Sequence, residues 1–138
     1  MSTLPAITTI GEHIVLGETA VRQFQASLRG ELLLPSHDRY EETRKVWNGM
    51  IDKRPALIAR CAGAADVIAA VTFAREHDVL VSVRGGGHSV AGKAVCNGGL
   101  MIDLARMREV KTDPGTRTAR VGGGALLGDL DHATQAFG

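Results

Sequence analysis

A strand, a helix and a second strand follow one another with almost no linker, and this succession constrains the fold more than any other feature of the sequence. "ALIARC" (56–61) has the length and apolar content of a short strand, and "VLVSVR" (79–84) is a strand rich in β-branched residues. Between them, "AADVIAAVTFAREHD" (64–78) is a helix that places Val67, Ala70, Val71 and Ala74 on one stripe. Strands joined through a single helix lie parallel, with a right-handed crossover. The segment leaving the second strand therefore starts at the carboxyl end of a parallel strand, the place where open α/β sheets bind ligands.

The flanking sequence predicts a small α+β domain around this βαβ core. Downstream, "GLMIDL" (99–104) reads as a third strand. "REVKTDPGTRTARVGGG" reads as a hairpin turning at "DPGT", and "ALLGDLDHATQAFG" as a helix with Gly138 suited to the position after its end. Upstream, "ETAVRQFQASLR" (18–29) sets Val21, Phe24 and Leu28 at helical spacing, with Gly30 placed to stop the helix. The stretch "ELLLPSHDRYEETRKVWNGMIDKRP" (31–55), with Pro35 and Pro55 bracketing it, is expected to be mostly irregular, with a helical turn around Tyr40 to Trp47; both aromatics are read as packing anchors. A chain of 138 residues, 44% apolar, can bury one modest core. The expected organisation is a single domain: residues 1–34 form an extension with a helix, and residues 35–138 a small parallel sheet flanked by helices, then a hairpin and a helix.

Charge and composition narrow the partners. Sixteen basic residues against fifteen acidic leave a formal charge of +1, with no electrostatic footprint for nucleic acid or an anionic membrane. No basic residue precedes Arg22, Glu12 interrupts any signal-like apolar segment, and no apolar run approaches membrane-spanning length. These features predict a soluble, cytoplasmic protein with a small-molecule partner. Cys61 and Cys96 are read as reduced, buried thiols.

Of 17 glycines, six fall within residues 84–99, in "RGGGHSVAGKAVCNGG". A run without side chains lets consecutive backbone N–H groups converge on an anion and approach a diphosphate closely. The dinucleotide fingerprint G-x-G-x-x-G is not met, because Val90 stands where the third glycine belongs, and "VGGGALLG" (121–128) does not meet it either. A P-loop is approached by Gly87, Gly92 and Lys93, but Ala94 occupies the position of the magnesium-binding hydroxyl and no helix is predicted to follow. A connecting turn that binds nothing is the remaining alternative, against which His88 stands, since a turn needs no titratable ring at its apex. His13, His37, His77 and His132 have no companions at metal-ligand spacing. Arg84 fits either a diphosphate contact or a salt bridge closing the strand, Asp103 a structural acceptor, and "DLDH" (129–132) the solvated face of a helix.

"RPALIARCAGAADVIAAVTFAREHDVLVSVRGGGHSVAG", "GGLMIDLARM" and "ARVGGGALLGDLD" together resemble the FAD-linked oxidases with a p-cresol-methylhydroxylase-type flavin domain, in particular the berberine-bridge-enzyme-like branch, over roughly residues 35–138. The resemblance implies FAD as cofactor. Arg84, Gly85, Gly86, Gly87, His88 and Ser89, with Gly92, would wrap its diphosphate, and His88 would bond covalently to the 8α-methyl of the isoalloxazine. It implies removal of a hydride equivalent from an alcohol, amine or activated carbon, with molecular oxygen restoring the oxidised flavin. The catalytic base, and the cysteine that forms a second flavin bond in some relatives, would lie beyond Gly138. Two other readings stand beside this one: a truncated flavin-binding module without turnover, and a P-loop-like phosphate-binding protein.

Overall fold

The computed structural model describes residues 3–138, and its elements are short. β1 (Leu4–Ile7) and β2 (His13–Leu16) form an antiparallel hairpin, followed by α1 (Glu18–Ser27), β3 (Glu31–Leu33) and α2 (Tyr40–Thr43). Then come β4 (Leu57–Arg60), α3 (Ala64–Glu76), β5 (Val81–Arg84) and β6 (Leu100–Asp103). A second hairpin of β7 (Val110–Asp113) and β8 (Thr118–Val121) leads into α4 (Leu127–Thr134) and a closing 3-10 turn, Gln135–Phe137. No helix among the described residues is long and apolar enough to cross a membrane.

The central sheet has the order β3-β4-β6-β5. β4 and β5 are both parallel to β6, which lies between them, so the two strands joined through α3 share a direction without touching. Every residue of β6 is buried, as expected for a strand covered on both faces. On one face Leu57, Ala59, Leu100 and Ile102 meet α1 and α3, where Phe24 and Phe73 stack with centroids 4.3 Å apart. On the other face Ile58 and Met101 pack with Leu33, Tyr40 and Val95. Tyr40 is fully enclosed and its O–H donates to the Pro55 carbonyl at 2.6 Å, so its reading as a packing anchor holds.

The α+β architecture and the succession from β4 to α4 agree with the sequence, and four local expectations need correction. The stripe on α3 buries Ala70, Phe73 and Ala74, whereas Val71 is half exposed: the helix meets the sheet about one residue further round than the alanine pattern suggests. Gly30 does not cap α1, which ends at Ser27 with Leu28 already extended. Its lack of a side chain serves another purpose, since a Cβ there would lie 1.9 Å from the Arg60 carbonyl oxygen. The supposedly irregular stretch begins with β3, which pairs antiparallel with β4, and β1 and β2 were not foreseen at all.

Asp66, in the first turn of α3, joins three chain segments. Its carboxylate is 1% exposed and accepts N–H bonds from Arg29 (2.8 Å), Gly30 (2.9 Å) and Ala62 (2.8 Å). Burial pushes this carboxyl upward. The backbone donors at Ala62, Arg29 and Gly30, with the Arg29 charge, outweigh burial and hold it below the usual aspartate value.

Candidate functional site

The glycine loop begins where β5 runs out. Arg84 pairs in register with Asp103 on β6, and the Leu104 N–H bonds to the Arg84 carbonyl at 2.8 Å, the last rung before the chain departs. Beyond that rung the backbone N–H groups of residues 85–91 find no acceptor among the described residues. The loop's carbonyls are tied instead: Gly87 accepts from the Trp47 N–H at 3.0 Å, Val90 from the Asn48 side-chain amide at 3.3 Å, and Gly92 from Lys53 Nζ at 2.9 Å. A loop held through its oxygens, with its N–H dipoles unspent, favours a negatively charged guest. Gly87 has φ +74°, a conformation its triglycine setting permits without strain.

Arg84 folds back beneath the loop. Its Nη1 donates to the Thr43 carbonyl, and its Nε is buried without an acceptor, 3.1 Å from where a Cβ on Gly87 would stand. No carboxylate pairs with it among the described residues, so the salt-bridge alternative for Arg84 is not met. Asp103 is the structural acceptor expected of it, taking the Ala105 N–H at 3.1 Å and Arg60 Nε at 3.3 Å.

A second glycine segment, dismissed when tested as a fingerprint, forms the wall beside the loop. A Cβ on Gly124 would lie 1.7 Å from the Leu104 carbonyl oxygen, and one on Gly122 would lie 2.3 Å from that of Met107. A Cβ on Gly85 would meet the Gly123 carbonyl oxygen at 2.6 Å, so the two glycine segments touch backbone to backbone. On Gly86 the nearest atom is a Leu126 methyl at 3.0 Å. Gly85→Ala should therefore cost about 1–3 kcal/mol, because a carbonyl cannot step aside. Gly86→Ala should cost less, because a leucine methyl can swing. Denaturant midpoints of the two variants check the order. Asp129, assigned to a solvated face, accepts the Leu126 N–H at 2.8 Å and a two-pronged contact from Arg108 at 2.9 and 2.7 Å. The Arg108 hydrogen bonds, then the Leu126 N–H, hold its carboxyl low.

His88 is exposed, and its ring stacks on the Trp47 indole with centroids 5.2 Å apart and planes 19° from parallel. Trp47 is 71% exposed, which overturns its reading as a packing anchor. Burial raises the thiols of Cys61, to about 11, and of Cys96, so both stay protonated and unreactive as expected. Ser89 accepts the Lys93 N–H at 3.2 Å, but irregular chain follows Lys93 and the P-loop reading lacks its helix. No cluster of metal-ligating side chains occurs among the described residues. Two concavities lie away from the loop, one beside the β7–β8 hairpin and α4, the other beside β1 and Pro55.

Comparisons with known proteins converge on this region. The sequence profile of the FAD binding domain family matches residues 55–138. The (R)-6-hydroxynicotine oxidase of Paenarthrobacter nicotinovorans is 38% identical over 112 residues, which are 81% of this chain and 24% of that protein. Among solved structures, BBE-like 1 of Physcomitrella patens superposes with TM-score 0.78 at 27% identity, covering 86% of this chain and 26% of its own. The carbohydrate oxidase of Microdochium nivale superposes with TM-score 0.74 at 30% identity, covering 84% of this chain and 25% of its own. The chain thus spans about a quarter of the length of these relatives.

Proposed function

The chain belongs to the FAD binding domain family of FAD-linked oxidoreductases, and from that premise we propose that it is the flavin-gripping part of an oxidase whose FAD is joined to His88. The run of unpaired N–H groups at residues 85–91, with His88 at its centre, carries this reading. A diphosphate is the anion such a run suits, and the three consecutive glycines keep side chains away from it. Arg84, Gly85, Gly86, Gly87 and Ser89 would hold the diphosphate, while Gly92, whose own N–H is spent on the Ser89 carbonyl at 3.0 Å, would shape the turn beside it. The buried, partnerless Nε of Arg84 adds positive charge beneath it.

When bound, FAD supplies acceptance of a hydride equivalent from a small alcohol, amine or activated carbon, with molecular oxygen as the final acceptor. The chain's own part is to bind and orient: N–H dipoles fix the diphosphate, and the imidazole, on the same loop, fixes the ring system. An imidazole substituent withdraws electron density from that ring and favours its reduction.

The test uses protein expressed from the complete gene. It should be yellow as purified and keep its flavin with the polypeptide after acid precipitation and washing. Protein that binds no FAD, or yields all of it to the supernatant, contradicts the reading.

A further inference from the structure

The segment running from Trp47 to Lys53 touches the glycine loop at successive points and nothing above assigns it a role. The Trp47 N–H bonds to the Gly87 carbonyl and the Asn48 amide to the Val90 carbonyl. The Ile51 side chain fills the space where a Cβ on Gly92 would stand, 2.7 Å from it, and Lys53 Nζ bonds to the Gly92 carbonyl. Residues on both sides of His88 are therefore tied to one strap. The imidazole itself makes no hydrogen bond among the described residues and stacks on the Trp47 indole, 19° from coplanar with it.

We infer that Trp47 is a positioning residue for the attachment of flavin to His88, with residues 47–53 serving as the strap that sets the pose of the reactive imidazole. This rests on the covalent reading above. A histidine on an exposed loop turns freely about its second side-chain torsion, whose wells are broad. An aromatic plane laid against the ring removes that freedom, since offset-stacked rings attract each other beyond the area they bury. Attachment needs the nitrogen at a defined distance and angle to one carbon, so an untethered ring loses rate steeply. In balance, one C–H bond of the 8α-methyl and the imidazole N–H break and one C–N bond forms. The two hydrogens with two electrons leave to molecular oxygen as hydrogen peroxide. Trp47 makes and breaks none of these bonds and acts only through the His88 ring it stacks on.

Protein from the complete gene, produced without flavin, is mixed with FAD in air, and flavin that survives denaturation is followed over time. Trp47→Ala should attach flavin about tenfold to a hundredfold more slowly, and Trp47→Phe, which keeps an aromatic plane, should recover most of the rate. The noncovalent affinity for FAD, measured in a His88→Ala background with and without Trp47→Ala, should stay near that of the parent. A side chain so exposed leaves the fold intact when truncated, which the melting temperature checks. Attachment by Trp47→Ala at the wild-type rate overturns the inference while leaving the covalent reading standing. Equal losses of affinity and rate overturn it too, since they mark a merely structural role. Wild-type protein that never attaches flavin removes both.

Discussion

His88→Ala should release all of the flavin from the denatured protein, leaving a colourless polypeptide and a yellow supernatant, where the wild type leaves the reverse. Folded His88→Ala protein should still hold FAD. The variant removes an imidazole and no backbone N–H, and the unpaired donors at residues 85–91 are intact. Fold and stability should be unchanged, because the ring is exposed and makes no hydrogen bond among the described residues. Loss of the electron-withdrawing substituent should also lower the flavin's reduction potential, read by equilibration with a reference dye. A His88→Ala polypeptide that keeps its flavin after denaturation would move the attachment to another residue.

Asp66→Ala should be strongly destabilising. It strands the N–H groups of Arg29, Gly30 and Ala62 in a site that is 1% exposed. Each stranded donor costs about 1–3 kcal/mol, so even with relaxation the loss should reach about 3 kcal/mol or more, seen as a large drop in denaturant midpoint at neutral pH. Asp66→Asn keeps the shape and one acceptor oxygen, and should fall between. The native carboxyl lies below its unfolded value, about 3.9 for a free aspartate. Its contribution is therefore complete above that value and is lost as pH falls through the lower native one. The gap between wild type and Asp66→Asn should be constant near neutrality and close as pH drops below about 4. A gap that widens in acid would reverse the assigned direction.

Legibility in the sequence followed local context and the range of the causes. β4, β5 and β6 have four residues each and were read because a thirteen-residue helix links the first two and a glycine run leads into the third. β1 and β2 are equally short and β3 shorter, but no periodic helix links them as strand to parallel strand, and Pro5 interrupts the first. Gly30 and the 122–124 run illustrate a different limit. The sequence shows that glycine is present, but the carbonyls of Arg60, Leu104 and Met107 that exclude a side chain come from remote segments. Trp47 misled for the same reason, since an aromatic beside apolar residues looks like core until its neighbour proves to be a histidine on another loop. An aspartate in the first turn of a helix was the available sign of Asp66, and nothing local told of the three segments it joins.

The place of β6 bears on how the chain assembles as it is made. β4 and β5 leave the ribosome first, yet each has the later strand as its neighbour, so both wait with open edges until residue 103 has emerged. Pairings across such separations form slowly, and unpaired edges are exposed to misassembly meanwhile. The connection that must swing round to insert the missing strand carries the glycine loop itself, so the segment bearing the candidate site is also the one on which closure of the sheet depends.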